Sequence, residues 1–503
     1  MNNIKNKVTL LNVLSSLLLQ IFNIVSAFII PRIILSYFGS EVNGLVSSLT
    51  QFLSYITLVE GGVTGVITAS LYKPLVNKDF EKVSSIVKTS NSFFRKIGLL
   101  FIGYSLIVAL IYPLFFNKLF SFIYIFSLTL ILAIDLLIQY MYSLTLRTLL
   151  IADKKVYVVS FTRIVTIILN VVVVIISVKV YPSIHLLKFV GGLLFILQPL
   201  IYTWYIKKNY LINYNAKIDN NLLSERWNGF AINVAAFIHY STDITILTIF
   251  TNLSTVSIYS VYALVTSGIR SIINSISTGI NPTIGQSYAS GNMKDLNQKM
   301  NIYEFIINIL VFFIFSIAGL LITSFVMIYT KGINDADYYQ PLFGYLILLS
   351  EAIYLIKFPH LNLAYSANKF KEITKPAFVE AAINIIISVI LVRKYGLIGI
   401  SIGTISAMIY RLIFHVSYTK KLIPDRKESV FYKKLFIFCI FSILSIIICV
   451  SFIPNVDFNI YKWLFSAIIY VAIFILVYSI MVALFFRDEF IYIKKYLFRK
   501  RVK

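Results

Sequence analysis

The stretch TLLNVLSSLLLQIFNIVSAFIIPRIILSY, residues 9–37, is apolar over more than the length that crosses a lipid bilayer. About 20 apolar residues in a helix match the hydrocarbon thickness of a membrane. In lipid every backbone N–H must be paired inside its own segment, so a stretch of this kind forms a helix. A signal peptide has a shorter apolar run and a small-residue cleavage site. We therefore expect residues 9–37 to remain as the first transmembrane helix.

Similar stretches follow along the whole chain and predict fourteen transmembrane helices. The predicted helices, numbered 1 to 14, are residues 9–37, 42–71, 94–116, 120–146, 156–179, 184–206, 228–250, 255–281, 302–329, 341–366, 373–392, 396–418, 433–453 and 461–486. The composition agrees, because 59% of the 503 residues are hydrophobic, 13% are charged and the mean hydropathy is +0.85. We predict an all-α integral membrane protein without a sizeable water-soluble domain.

The net charge of +24 is spread over short loops and a C-terminal tail. This distribution argues against a nucleic-acid-binding surface and follows the positive-inside rule. If the N-terminus is cytoplasmic, the cytoplasmic side holds 34 of the 45 Lys and Arg residues and the outer side holds eight, while Arg270, Lys357 and Arg411 lie within predicted helices. We therefore place both termini in the cytoplasm, and we expect the basic tail, residues 487–503, to contact anionic headgroups.

The sequence carries no pattern of a metal site or a catalytic centre. Its two cysteines, Cys439 and Cys449, lie in one apolar segment, which predicts buried thiols and no disulfide framework. The four histidines are dispersed without metal-ligand spacing, and no Walker A pattern is present. We predict a protein that is not an enzyme and has no cofactor or metal, with coupling to H⁺ or Na⁺ as an open possibility.

An internal repeat relates the first half of the chain to the second. SLYKPLVNKDFEK (70–82) aligns with QSYASGNMKDLNQ (286–298) at an offset of 216 residues. Residues 152–154 align with 367–369 at an offset of 215, Tyr181 aligns with Tyr395 at 214, and Lys207-Lys208 align with Lys420-Lys421 at 213. The nearly constant offset predicts a duplication of a six-helix unit.

Because both copies begin on the same side, the repeat predicts two lobes related by a pseudo-twofold axis along the membrane normal, with a central cavity between them. The N-terminal lobe is residues 1–215 with predicted helices 1–6, and the C-terminal lobe is residues 216–425 with predicted helices 7–12. Predicted helices 13 and 14, residues 426–486, have no counterpart in the repeat, and the basic tail follows them.

Three segments of the chain resemble a known transporter family. IPRIILSYFGSEVNGLVSSL (30–49), SLYKPLVNKDFEK (70–82) and FTNLSTVSIYSVYALV (250–265) resemble polysaccharide transporters of the multidrug/oligosaccharidyl-lipid/polysaccharide (MOP) superfamily, specifically flippases of O-antigen or capsule repeat units of the Wzx type. The resemblance extends over about residues 5–486. It implies an alternating-access carrier that moves undecaprenyl-pyrophosphate-linked oligosaccharides from the cytoplasmic to the outer leaflet of the bacterial inner membrane. It also implies polymerase and glycosyltransferase partners in polysaccharide biosynthesis.

Polar stripes on the predicted helices are candidates for the lining of the cavity. At 100° per residue, the stripe of predicted helix 2 lies within about 40° of one direction, and predicted helix 8 carries a matching stripe. The members are Asn43, Ser47, Thr50, Ser54, Gly61, Gly65 and Thr68 in helix 2, and Tyr259, Thr266, Arg270, Asn274, Ser277 and Asn281 in helix 8. The alternative is helix–helix packing, in which small and hydroxyl-bearing residues are common. Ser54, Tyr259 and Asn274 are candidate substrate-binding residues.

Arg270 is the most informative single residue, because a charge near the middle of a transmembrane helix is costly and marks a functional site or a buried ion pair. A guanidinium binds phosphate oxygens bidentately, which suits a pyrophosphate. The alternative is a structural ion pair with an acidic neighbour. Arg163 and Arg147, together with Lys154 and Lys155, are candidates for a cytoplasmic entry patch, unless they only follow the positive-inside rule.

Acidic residues inside predicted helices are candidates for ion coupling. Asp135 and Glu351 are separated by 216 residues, the repeat offset, and Asp243 is a further intramembrane acid. A buried carboxylate takes up a proton, binds a cation or pairs with a base. The alternative is a pair of structural anchors inherited twice. Glu60 lies about 120° from the stripe of predicted helix 2, which disfavours it as a lining residue.

Glycine and proline residues mark possible hinges for alternating access. Gly61, Gly62 and Gly65 interrupt predicted helix 2, Pro199 interrupts helix 6 and Pro359 interrupts helix 10. Static kinks are the alternative.

Two other functions stay open from the sequence. A cation-coupled multidrug exporter of the same superfamily would have an acid-dominated cavity, and a membrane-embedded polysaccharide polymerase or ligase would carry a long outer loop. No predicted outer loop exceeds about 15 residues, which is within ordinary connection lengths.

Overall fold

The computed structural model of the chain describes residues 2–60, 62–116, 118–213, 216–219, 227–453 and 456–498. Over these ranges all regular secondary structure is helical, and eleven helices are long and apolar enough to cross a membrane. One of the eleven joins predicted helix 1 to the first part of predicted helix 2 at Gly39, and another joins predicted helices 11 and 12 at Gly396. Predicted helix 7 corresponds to a helix that extends from Trp227 to Phe250. The all-α membrane fold class is therefore confirmed.

The chain forms two compact units, residues 1–245 and 246–503. The helices that begin in the first unit are α1 (Asn2–Ser54), α2 (Thr57–Glu60), α3 (Val63–Asn77), α4 (Phe80–Ile111), α5 (Pro113–Phe116), α6 (Phe122–Ile138), α7 (Leu144–Ala152), α8 (Val156–Val180), α9 (Ile184–Leu193), α10 (Leu197–Asn209) and α11 (Trp227–Phe250). A π-helical segment, Gln139–Ser143, joins α6 to α7, and a short 3₁₀ segment, Leu194–Ile196, joins α9 to α10. The predicted lobe boundary after residue 215 adjoins segments outside the described residues.

Eight further helices lie in the described part of the second unit. They are α12 (Leu253–Ala289), α13 (Met293–Tyr329), α14 (Pro341–Ile356), α15 (Phe358–Ser366), α16 (Phe370–Leu422), α17 (Glu428–Phe452), α18 (Ile460–Phe485) and α19 (Arg487–Phe498). The sequence did not predict α19, which it assigned to the basic tail. α17 and α18 share a buried core with α13, formed by Phe305, Phe438, Phe474, Met481 and Phe486. The two additional transmembrane helices are therefore an integral part of the second unit.

Side-chain caps begin several of these helices, as expected for Ser, Asp and Asn at N-cap positions. The Asp79 carboxylate accepts a hydrogen bond from Lys82 N at 3.0 Å at the start of α4. Asn252 accepts one from Thr255 N at 2.8 Å at the start of α12. α4 begins at Phe80, fourteen residues before predicted helix 3, because its first turns carry charged residues that lowered the local hydropathy.

Predicted helix 2 is not one continuous helix. It consists of the last part of α1, the short α2 and α3, with Gly62 in the left-handed region at φ 80° before α3. The Ser54 hydroxyl donates to Gln51 O at 2.7 Å, and Thr57 Oγ1 donates to Ser54 O at 2.7 Å. Hydroxyls that bond to nearby carbonyls compete with the helix, and glycine destabilises it. The stripe calculated for one unbroken helix is therefore wrong as a continuous face.

The two halves of α16 form a tight hairpin, which corresponds to predicted helices 11 and 12. Gly396, with φ 51°, lies at the bend. A Cβ on Gly399 would lie 2.6 Å from the carbonyl carbon and oxygen of Leu391, and one on Gly403 would lie 2.9 Å from Ser388 N. This spacing of small residues lets two membrane helices approach closely.

Matching loops support the internal repeat but shift its register. Lys78 and Gly291 are both left-handed, at φ 56° and 71°, and each is followed by a capping residue, Asp79 or Asn292. Their offset is 213, whereas the sequence aligned Asp79 with Asp295. The alignment is off by three residues because Asp295 lies in the first turn of α13, with Asn292 as the cap. At the second loop, Lys154 and Asn368 are both left-handed, at φ 60° and 57°, with an offset of 214 rather than 215.

Other predictions about single residues have mixed outcomes. Cys449 is buried, but Cys439 is exposed, so the prediction of two buried thiols is wrong for Cys439. The 3₁₀ segment before α10 lies next to Pro199, and α14 ends at Ile356, just before Pro359. Proline has no N–H and its ring crowds the preceding turn, which accounts for both interruptions.

Candidate functional site

Arg270 of α12 and Glu351 of α14 form an ion pair inside the second unit, with Arg270 Nη1 donating to Glu351 Oε2 at 3.1 Å. The Arg270 side chain keeps 28% of its surface exposed, whereas Glu351 keeps 10%. The structure thus joins the candidate phosphate-binding residue to one of the candidate ion-coupling residues. This is the structural ion pair that the sequence left as the alternative. Because Arg270 stays partly exposed, the pair does not enclose it.

The ion pair continues into a second buried cluster. Lys357, at the break between α14 and α15, lies near Glu351 and has its Nζ 3.8 Å from Glu380 Oε1. Arg411 Nε lies 3.4 Å from Glu380 Oε2 and donates to His415 Nε2 at 2.8 Å. The Lys357 ammonium also lies over the Tyr354 ring, 4.2 Å from its centroid. Lys357 and Arg411, the other two cations within predicted transmembrane helices, are therefore both paired with Glu380.

Glu304 of α13 is the centre of a third buried cluster. Its Oε1 lies 2.6 Å from Arg426 Nη2 and 3.3 Å from His360 Nε2, and its Oε2 lies 3.6 Å from Lys434 Nζ. Lys434 also lies 3.6 Å from Glu489 of α19. The free energy lost by removing a buried carboxylate from water is offset only when its cationic partners are in place. This cluster therefore ties α17 and α19 to the rest of the second unit.

Sequence reasoning missed Glu304 and Glu380, and only one of them had a usable signal. Glu380 lies well inside predicted helix 11, so the rule that intramembrane acids mark sites or ion pairs would have found it. Glu304 lies in the first turn of predicted helix 9, where a carboxylate at a helix start is unremarkable.

The polar stripe of predicted helix 8 has two kinds of surroundings. Ser277 is hydrogen-bonded to the Tyr303 hydroxyl, which also donates to Asn281 Oδ1 at 3.0 Å. Asn362 Nδ2 donates to Ser277 Oγ at 3.0 Å and to the Tyr303 hydroxyl at 2.7 Å. These contacts match the helix–helix packing alternative for this end of α12. Asn274, in contrast, is exposed.

Tyr259, the candidate nearest the start of α12, lies at the other end of that stripe. Its ring packs near that of Phe343, with centroids 5.9 Å apart. Tyr259 and Asn274 are thus separate features of α12 and not parts of one cluster.

In the first unit, Arg147 of α7 and Arg163 of α8 lie close enough to interact electrostatically, and Tyr202 of α10 interacts with both. In the described part of the chain, no carboxylate forms an ion pair with either arginine. The structure therefore brings together the two arginines of the predicted entry patch. Two guanidiniums within range of each other's charge are suited to a polyanion such as a pyrophosphate.

The lysine members of that patch lie at the loop between α7 and α8. Lys154 is exposed with a left-handed backbone, and Lys155 precedes α8. Next to them, the Tyr210 hydroxyl donates to Asp153 Oδ2 at 2.5 Å. Burial, and then the hydrogen bond to the Asp153 carboxylate, raise the pKa of Tyr210, so this hydroxyl stays protonated and holds the ends of α7 and α10 together.

Asp135 of α6 has a basic partner that the sequence did not suggest. Lys188 of α9 interacts with it electrostatically, and Asp135 Oδ1 accepts a hydrogen bond from Leu136 N at 2.7 Å. Asp243 of α11 is buried. The surroundings of Asp135 and Asp243 are therefore compatible with an ion-coupling residue and with a structural anchor.

Ser54 and Glu60 lie at the breaks of predicted helix 2. Ser54 Oγ accepts a hydrogen bond from Gln51 Nε2 at 3.1 Å, so its hydrogen bonds are local. Glu60 accepts hydrogen bonds from Thr64 and from the Tyr140 hydroxyl of the π-helical segment, the latter at 3.4 Å. Gly61 of the predicted stripe lies outside the described residues.

No cluster of three or more His, Cys, Asp or Glu side chains suitable for a metal ion occurs in the described ranges. The buried acids of the second unit form ion pairs, whereas Glu60 and Asp153 of the first unit accept hydrogen bonds. What the geometry offers is guanidinium chemistry for anions and buried carboxylates for cations or protons.

Comparison with solved structures places this arrangement in a transporter fold. The chain is similar to the lipid II flippase MurJ in an inward closed conformation, with a TM-score of 0.71 and 16% sequence identity over 95% of this chain and 99% of that one. It is also similar to the MATE multidrug transporter DinF-BH in a ligand complex, with a TM-score of 0.59 and 13% identity over 83% and 96% of the two chains.

A third similar structure is an inward-facing multidrug resistance MATE family transporter of the MOP superfamily, with a TM-score of 0.55 and 11% identity over 81% of this chain and 96% of that one. No protein-family model and no curated protein matches the sequence. At these identities the similarity is one of fold. The chain therefore shares the fold of these flippase and multidrug transporter structures, which is the fold that the sequence resemblance implied.

Proposed function

We propose that this protein flips undecaprenyl-pyrophosphate-linked oligosaccharide repeat units from the cytoplasmic to the outer leaflet of a bacterial inner membrane, for the biosynthesis of capsule, exopolysaccharide or O-antigen. The observation that carries the proposal is the extent of the structural similarity. The lipid II flippase matches 95% of this chain, and the MATE transporters match 81–84% of it although nearly all of their own length is covered.

The part that a MATE chain leaves uncovered is similar in size to residues 426–503, which hold α17, α18 and α19. These helices share their core with α13. A multidrug exporter is the second candidate, because the fold accommodates it equally. The additional helices favour a substrate of the kind that the flippase carries, a glycan on a long lipid.

The Arg270–Glu351 pair supplies a way to bind and release a pyrophosphate. A guanidinium has five N–H donors, and Glu351 contacts Arg270 through Nη1. Because 28% of the Arg270 side chain is exposed, a phosphate oxygen has access to it. A dianionic pyrophosphate then competes with Glu351 for the guanidinium. When Glu351 loses Arg270, its negative charge is compensated by nearby Lys357 or by uptake of a proton.

Arg147 and Arg163 are the proposed first contact for the pyrophosphate, because they lie together without an ion-paired carboxylate in the described residues.

Ion coupling through Asp135, Glu351 or Asp243 is proposed from the exchange described for Glu351. A carboxylate that exchanges its basic partner for a proton links substrate movement to the proton gradient.

The test is transport by the purified protein in proteoliposomes. A fluorescent oligosaccharide on polyprenyl pyrophosphate is placed in both leaflets, and the fraction that moves is measured by chemical quenching from outside. We expect flipping by the parent, loss of flipping for Arg270→Ala and for Arg147→Ala/Arg163→Ala, and full activity for the matched control Arg393→Ala, an exposed arginine whose guanidinium lies over Phe250.

The same vesicles test the second candidate. Transport of a cationic fluorescent dye, with no movement of the lipid-linked oligosaccharide, would refute the proposal in favour of multidrug export. In cells, Arg270→Ala should abolish polymer export while the protein remains in the membrane.

A further inference from the structure

A groove in the first unit is lined, among the described residues, by none of the candidate substrate-binding or ion-coupling residues. α4, the π-helical segment, α7, α10 and the chain after α10 surround a space of about 860 Å³. Three cations line it, namely Lys88 and Arg95 of α4 and Lys207 of α10. Its apolar wall includes Met141, Leu200 and Trp204. The volume is in the usual range of ligand pockets, about 300–1,000 Å³.

Irregular backbone and a glycine shape the groove. The π-helical segment widens the turn that carries Met141. A Cβ on Gly98 would lie 3.0 Å from Met141 Sδ, so the glycine allows α4 to approach this side chain. On the other side, the 3₁₀ segment Leu194–Ile196 precedes Pro199 at the start of α10.

Residues 213 and 216–219, after α10, are hydrogen-bonded along α4, and Ile212 and Asn213 line the rim of the groove. Asn213 N donates to Ser84 Oγ at 2.9 Å, and Asp219 N donates to Thr89 Oγ1 at 2.9 Å. Ser85 Oγ donates to the carbonyl oxygen of Lys217 at 2.8 Å. These three hydrogen bonds fix the position of the chain at the rim, so the groove is more than a gap between helices.

The groove has a charged part and an apolar part. None of the lining residues among the described residues is an Asp or Glu. At the mouth, Lys208 Nζ lies 5.6 Å from the centroid of the Trp204 ring. Leu200 and Trp204 are 59% and 63% exposed, so the apolar side opens laterally. The groove lies near the ends of predicted helices 3, 4 and 6 that the positive-inside rule assigns to the cytoplasm.

We propose that this groove binds an anionic phospholipid of the cytoplasmic leaflet. Its phosphate contacts Lys88, Arg95 and Lys207, and the first part of an acyl chain lies along Met141, Leu200 and Trp204. Basic pockets between transmembrane helices on the cytoplasmic side suit such headgroups. The apolar wall and lateral opening favour a lipid over a free phosphate. The volume holds a headgroup and the beginning of a chain, while the remaining chain stays in the bilayer.

Trp204 lines the groove, so its fluorescence reports on lipid bound there. The chain has three tryptophans, and the other two can be replaced. The full-length variant Trp227→Phe/Trp463→Phe leaves Trp204 as the reporter. It is reconstituted in mixed bilayers in which either phosphatidylglycerol or phosphatidylcholine carries brominated chains, which quench tryptophan on contact. We expect phosphatidylglycerol to quench Trp204 more strongly at equal mole fraction. Addition of Lys88→Ala, Arg95→Ala and Lys207→Ala should reduce this preference by about fivefold per cation, about 100-fold in all.

The matched control is Lys73→Ala/Lys82→Ala/Lys96→Ala, which removes three exposed lysines from the same unit and predicted side, and it should keep the preference. Native mass spectrometry of the parent and of both triple variants gives a second measurement if the tryptophan background does not fold. Equal quenching by the two lipids, or loss of the preference in the control, would overturn the proposal. Displacement by inorganic phosphate or stronger quenching by a brominated polyprenyl phosphate would also overturn it. Lipid preference is measured without transport, so its outcome is independent of the proposed function.

Discussion

The Arg270–Glu351 ion pair can be tested with three variants, Arg270→Met, Glu351→Gln and the double variant. Methionine keeps an unbranched side chain of similar length without charge, and glutamine keeps the shape of glutamate. The two residues of the pair are unequally buried, at 28% and 10% exposure, and 3.1 Å apart. The single variants are therefore expected to have unequal effects.

Removal of one partner of a buried ion pair costs about 3–5 kcal/mol, because the other charge is left uncompensated. Arg270→Met leaves the nearly buried Glu351 and should cost about 3 kcal/mol, the low end, because Lys357 is near. Glu351→Gln leaves Arg270, which reaches solvent through its exposed part, and should cost about 1 kcal/mol. The double variant removes both charges and should cost about 1 kcal/mol, which corresponds to a coupling energy of about 3 kcal/mol.

The assay combines thermal unfolding in detergent with oligosaccharide flipping in proteoliposomes. If Arg270 contacts the pyrophosphate, the double variant should be nearly as stable as the parent but unable to flip the substrate. If Arg270 only stabilises the fold, the double variant should regain transport together with stability. Recovery of flipping in the double variant would refute the assignment of Arg270 to the substrate. Equal destabilisation by the two single variants would refute the reasoning from burial.

Four further variants probe other parts of the structure. Gly403→Ala should destabilise the protein by about 2–4 kcal/mol in thermal unfolding, since its Cβ meets the backbone of the facing half of α16. The control Gly268→Ala, with open space around the glycine, should change stability by less than about 1 kcal/mol. Similar effects of the two variants would contradict the close approach of the two halves of α16. Glu304→Gln should cost about 3–5 kcal/mol because several buried cations lose their common acid, and an unchanged midpoint would show that those cations reach water. Asp135→Asn should alter the pH dependence of flipping, and an unchanged profile excludes Asp135 as the proton site.

The long apolar runs predicted the membrane-length helices of the first unit, but hydropathy alone did not locate their breaks. Predicted helix 2 is interrupted at Ser54 and at Gly62, and predicted helix 4 contains the π-helical segment. Hydropathy averages over about 19 residues, so it reports the length of a segment and not the local backbone. The glycine doublet Gly61-Gly62 was a usable signal for the break at Gly62. Nothing in the sequence QYMYS (139–143) marks the π-helical segment.

The repeat shows the same limit in its register. Residue identity aligned Asp79 with Asp295, although the capping role of Asp79 is taken by Asn292. Identity of letters reflects descent or chance, whereas capping reflects which side chain reaches the first free N–H groups. The loop conformation therefore corrects the alignment by three residues.

The sequence by itself determined that this is a helical membrane protein, and it located the apolar segments that are long enough to cross a bilayer. These properties follow from the cost of unpaired backbone groups in lipid, which each segment must meet alone. Only the tertiary structure decided which charges meet: Arg270 with Glu351, Lys357 and Arg411 with Glu380, and Arg426 and Lys434 with Glu304. Such pairs join helices that are distant in the chain, so the choice of partner depends on packing and not on any local pattern.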